Sequence, residues 1–89
     1  MASPYDHVIF TDVDGADGVL VDLNTKQYYQ LNETASLVWR GLAGGTPADA
    51  IAKQLTEAYD VTLEHAQASV ETVIRNFIAY RLVKPSPQA

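Results

Sequence analysis

The spacing of hydrophobic positions along the chain changes period once, near residue 31. Upstream of that point, β-branched and aromatic residues form short runs at 7–13 (HVIFTDV) and 18–23 (GVLVDL). The Asp14-Gly15-Ala16-Asp17 cluster between them predicts a hairpin loop. Asn24-Thr25 then turns the chain into a third run over residues 26–31. The expected product is a meander of three antiparallel strands in which the third is an edge strand with one side unpaired. Along that strand a period of two puts Gln27, Tyr29 and Leu31 on one face and Lys26, Tyr28 and Gln30 on the other.

After residue 31 the apolar spacing becomes helical. A first helix starts at Asn32 as N-cap, carries Ala35, Val38, Trp39 and Leu42 on one face, and ends in Gly44-Gly45, which suits a left-handed cap. A second opens with Thr46 as N-cap and Pro47 at its first position, and buries Ile51, Ala52, Leu55 and Tyr59. A third runs from Thr62 to about Leu82, stopped by Pro85 and Pro87. Three strands followed by three closely linked helices predict an α+β domain of winged helix-turn-helix character over residues 1–84, with 85–89 a disordered tail.

The third helix is broader on its apolar side than one core stripe needs. Leu63, Ala66, Val70, Val73 and Phe77 form that stripe, and Ile74, Ile78 and Leu82 widen it to one flank. Such a flank suits the wall of an apolar groove, with Arg75, Arg81 and Lys26 at the rim. A groove beside a free strand edge is what peptide capture by strand addition requires. On spacing alone, a helix buried on a broad face and an edge strand guarded by Lys26 explain the same residues.

Composition removes most other chemistries. An apolar share of 47% argues against disorder, and the absence of cysteine excludes disulfides and thiol catalysis. No long apolar stretch or basic leader marks a membrane span or signal peptide, so the chain reads as cytoplasmic. Five of the eleven acidic residues fall in the first 22 positions, which hold no Lys or Arg, and the net charge of −5 suits a protein or peptide partner better than nucleic acid. The stretch Asp12 to Gly18 imitates a calcium loop, but places Ala16 and Asp17 where a ligand and glycine belong, and Leu23 where the closing Glu belongs. His7 and His65 fall on different elements and read as surface residues. No nucleophile elbow or phosphate loop is present. The expectation is a chain that is not an enzyme and needs neither metal nor cofactor.

The run Val21 to Ala35 (VDLNTKQYYQLNETA), followed by Val38-Trp39, Gly44-Gly45-Thr46, Ile51-Ala52, Leu55, Tyr59, Val70 and Phe77-Ile78 with Leu82-Val83, resembles the PqqD-like family over roughly residues 7–84. The Tyr29-Gln30-Leu31-Asn32 core with Thr34-Ala35 and Trp39 is its most distinctive part. The resemblance implies a recognition element for ribosomally made, post-translationally modified peptides, which binds a precursor's leader segment as a fourth strand against strand three, beside helix three. The residues it points to are Lys26, Gln27, Tyr28, Tyr29, Gln30, Val70, Ile74, Arg75, Phe77, Ile78, Arg81 and Leu82. A lasso-peptide pathway, with a cysteine-protease-type leader peptidase and an ATP-dependent cyclase as partners, is favoured over a pyrroloquinoline quinone pathway with a radical enzyme. A winged-helix DNA-binding regulator and a small structural or dimerisation module are the readings from other classes.

Overall fold

The computed structural model describes residues 3–12 and 17–84. The expected loop at Asp14–Asp17 lies largely outside those residues, and the expected tail at 85–89 lies wholly outside them. In chain order the elements are β1 (Ser3–Pro4), β2 (Val8–Asp12), β3 (Gly18–Asp22), β4 (Gln27–Leu31), α1 (Glu33–Ala43), α2 (Ala48–Ala58), α3 (Leu63–Ala79) and β5 (Val83–Lys84). The three-stranded antiparallel sheet has the order β2-β3-β4, with Ile9 opposite Val21 and Val21 opposite Tyr28. A two-residue ribbon, β1 with β5, pairs Pro4 with Val83 and ties the first described residues to the end of α3.

The sheet turns tightly between β3 and β4 because Asp22 organises the loop from within. Its carboxylate accepts the N–H groups of Asn24 (2.9 Å) and Thr25 (3.2 Å), and its carbonyl accepts that of Lys26 (2.8 Å). Burial works against the charge on Asp22, but the two N–H donors and nearby His7 outweigh it and hold the carboxyl below its ordinary range. His7, expected on the surface, is half-buried 3.8 Å from Asp22, and its ring stacks on Tyr5.

The helices cover one face of the sheet. Asn32 caps α1 by accepting the N–H of Ala35, and Thr62 caps α3 by accepting that of His65. α1 closes with Gly45 at φ 80°, where Thr46 N–H reaches the Gly41 carbonyl and Gly45 N–H that of Leu42. That engagement shifts the start of α2 by one residue: Pro47 takes the N-cap place expected for Thr46, and no side chain caps it. Leu20, Val38, Trp39, Ile51, Leu55, Val70 and Phe77 fill the core, with Trp39 edge-on to Phe77 at 5.4 Å. Tyr59 lies at the end of α2, half-buried rather than in the core, and donates its hydroxyl to Glu33. That bond, with burial and the charges of Glu33 and Asp17, pushes its pKa up to about 12.

The third helix ends three residues earlier than expected. Arg81 adopts φ 59°, and the N–H groups of Leu82 and Arg81 donate to the carbonyls of Phe77 and Ile78. This is the Schellman closure that glycine usually supplies. Leu82 therefore leaves the helix and turns back into the core, 1% exposed, and Val83 enters β5. The apolar flank of Ile74, Ile78 and Leu82 expected on the third helix is therefore not one helical row, since Leu82 lies past the end of α3.

Candidate functional site

The outer edge of β4 is the feature around which the site is built. In an antiparallel ladder, N–H and C=O groups point alternately to one neighbour and the other. Leu23 N–H donates to His7 carbonyl (2.9 Å), which directs the backbone groups of Val21 and Val19 toward β2 and those of Asp22, Leu20 and Gly18 toward β4. By the β3–β4 register, Gln27, Tyr29 and Leu31 face β3. The N–H and C=O of Tyr28 and Gln30 therefore point out of the sheet, and no strand among the described residues pairs with them.

Beside this edge runs an open groove of about 840 Å³ between β4 and α3. Tyr28, Tyr29 and Gln30 form its strand wall, and Leu31, Phe77 and Leu82 its apolar floor. On the helix side it is walled by Ser69, Thr72, Val73, Asn76 and Tyr80, and α1 contributes Thr34 and Ala35 just past Asn32. Tyr80 is 58% exposed, and its ring lies 5.3 Å from that of Tyr29. The Tyr29 hydroxyl donates to Gln27 Oε1 at 2.9 Å, so both side chains are held on the inner face of the strand. No lining residue carries a charge at neutral pH. The groove thus offers apolar contact, hydroxyls and amides, with backbone groups along one side.

Of the residues singled out in the sequence, Tyr28, Tyr29, Gln30, Phe77 and Leu82 line this groove. Gln27 precedes them on β4, and Lys26 occupies the left-handed last position of the turn at φ 63°. Val70 is buried in the core at 1% exposure. Ile74 and Ile78 are half-buried against the core, outside the groove lining, and Arg75 and Arg81 are exposed and also outside it. The reason is angular. At about 100° per residue, Thr72, Asn76, Ser69 and Tyr80 share one flank of α3, Phe77 and Val70 face the core, and Ile74 and Ile78 fall on the far flank. The groove uses the flank whose small polar residues gave no hydrophobic signal. Their spacing, 69, 72, 76 and 80, is itself helical and opposite an edge strand, which was the available clue.

A model of the family described as coenzyme PQQ synthesis protein D (PqqD) matches residues 17–83. The chain belongs to the PqqD family. No curated protein sequence matches this PqqD-family chain. Two solved structures share its fold closely. One is TbiB1 in complex with the TbiA(beta) leader peptide, with a TM-score of 0.87 and 21% identity over 97% of this chain and 99% of that one. The other is a lasso peptide synthetase B1 complexed with the leader peptide, with a TM-score of 0.86 and 24% identity over 94% of this chain and 98% of that one. The α+β arrangement of a three-stranded sheet followed by three helices is thus shared with both of these structures.

Proposed function

We propose that this PqqD-family protein binds the leader segment of a ribosomally made precursor peptide as a fourth strand on β4, and presents it to a leader peptidase and a cyclase in lasso-peptide biosynthesis. The observation that carries this reading is the unpaired backbone of Tyr28 and Gln30 opening onto an uncharged groove. The two similar folds, each described with a leader peptide bound, support the choice of ligand and of pathway. A strand laid along β4 gains main-chain hydrogen bonds from Tyr28 and Gln30, and its alternate side chains enter the groove against Tyr29, Val73 and Tyr80. The role in this reading is binding, since what the groove presents is a free strand edge beside apolar surface and neutral polar groups.

The DNA-binding alternative finds no support on the helices. The cleft between α2 and α3 is lined by Asp49, Glu64 and Glu71, which repel phosphates. The pyrroloquinoline quinone pathway is the second reading, favoured by the description of the family. Amide exchange with the leader segment of the cognate precursor tests the binding mode. The amides of Tyr28 and Gln30 should gain protection, those of Tyr29 and Leu31 being tied to β3 already. Protection confined to the outer surface of α1 would overturn the reading. Which enzyme co-purifies with the leader-loaded protein, cyclase or radical enzyme, separates the two pathways.

A further inference from the structure

The sheet is apolar on both faces, although helices cover only one. On the outer face Ile9, Val21 and Tyr28 form one cross-strand row, with Val19 and Leu23 beside it. Ile9 is 47% exposed, Leu23 44% and Tyr28 73%, and among the described residues nothing packs over them. A sheet open to water on one side ordinarily alternates apolar inward and polar outward, and β3 departs from that rule. It points Val19 and Val21 outward, with Leu23 exposed just past its end, while burying Asp22 inward. The row ends at Tyr28, whose backbone forms the free edge. A strand added there must place the side chain paired with Tyr28 on this outer face, next in line after Ile9 and Val21.

Resting on the strand-addition reading, we infer that the Ile9–Val21–Tyr28 row is a second, outer specificity surface for the same peptide. The peptide residue paired with Tyr28 is aromatic or branched apolar, and it extends the row by one strand. Its neighbour, paired with Tyr29, enters the groove against the Tyr29 and Tyr80 rings and is apolar. The next inward residue, paired with Leu31, is neutral, whereas the outward residue paired with Gln30 meets an amide and is free to be polar. The recognised segment therefore carries two adjacent apolar positions, opposite Tyr28 and Tyr29, and departs from the strict alternation that a one-sided groove selects. A directly opposed aromatic or β-branched pair favours the apolar residue by up to about fivefold in binding.

The probe is a displayed library of random twelve-residue peptides, selected on the full chain and in parallel on Tyr28→Thr and Tyr28→Pro variants whose circular dichroism matches the parent. Thr keeps a strand-forming edge and removes only the ring, whereas Pro removes the N–H at the free edge. The parent should enrich adjacent apolar pairs, with the outward member preferred about fivefold over Ser or Lys, and Tyr28→Thr should abolish that preference while the inward positions keep theirs. An outward position that accepts Ser or Lys equally on the parent, or a preference unchanged in Tyr28→Thr, overturns the inference and leaves strand addition standing. A library that yields no binder, or binders indifferent to Tyr28→Pro, overturns strand addition and the inference with it. Concentration-dependent dimerisation that Tyr28→Thr abolishes assigns the face to a second copy and also overturns it.

Discussion

The rings of Tyr29 on β4 and Tyr80 at the end of α3 lie 5.3 Å apart, tilted by 41°. This contact joins the edge strand to the helix at the groove and offers a peptide side chain two aromatic surfaces. Because Tyr80 is 58% exposed, truncating it removes groove surface with little loss of core. Tyr80→Ala is expected to weaken leader binding by about 1–2 kcal/mol, or roughly tenfold, and to shift the urea midpoint little. Calorimetric titration beside a denaturation curve separates the two effects.

The groove's neutrality sets a second expectation. Thr72 lines it and Ile78 does not. A carboxylate placed at Thr72 must be desolvated when a peptide covers it, with no cation in the lining to compensate. Thr72→Glu should therefore reduce affinity more than tenfold, an effect of above about 1.4 kcal/mol. Ile78→Ala should cost about 1–2 kcal/mol of stability and leave the affinity of the folded protein within twofold. Raising salt from low to physiological strength should change parental affinity less than about threefold, since rim ion pairs contribute little and are screened. A reversed ranking of the two variants in titration would move the binding surface to the far flank of α3.

How far the sequence reveals this site follows from which signals the fold uses. The three strands and three helices are readable because each buries one regular face, and Asn32, Thr62 and Gly45 mark ends by their own chemistry. The end of α3 is hidden because Arg81, a residue with no intrinsic preference for it, takes the left-handed position that glycine advertises. The β1–β5 ribbon is too short to leave a pattern, with two residues a side. The groove wall escapes because apolarity points to Ile74 and Ile78, which serve the core, while Ser69, Thr72 and Asn76 shape the cleft. Strand-edge logic points to Tyr28, Tyr29 and Gln30, which line the groove, since an edge is a property of topology rather than of hydropathy.

The two non-glycine residues at positive φ, Lys26 at 63° and Arg81 at 59°, carry a conformational cost that glycine avoids. Neither lines the groove. Arg81→Gly should stabilise the fold by about 0.5–1 kcal/mol, read as a raised urea midpoint with an unchanged slope, and leave leader affinity unaltered. Loss of affinity in Arg81→Gly would show that the guanidinium reaches the peptide after all.

Asp22 makes acid stability the final test. Its carboxyl, buried at the β3–β4 turn, titrates below its ordinary value because Asn24 and Thr25 N–H groups and His7 favour the charged form over the opposing effect of burial. The sign follows from linkage: the unfolded chain takes up the proton at a higher pH than the folded one, so the contribution is present above the ordinary value of 3.8 and is lost as pH falls through the lower folded value. Asp22→Asn keeps an Oδ1 that can accept the Asn24 and Thr25 N–H groups, but it carries no charge and no longer titrates. The parent's urea midpoint should therefore fall more steeply than the variant's as pH drops below about 4, and the variant should be the less stable of the two at pH 7. Because Asp22 shapes the turn that delivers Lys26 and Gln27 into β4, leader affinity should decline over the same acid window in the parent and be nearly flat there in Asp22→Asn. Parallel pH curves for the two proteins would mean that the turn holds its form without the carboxylate.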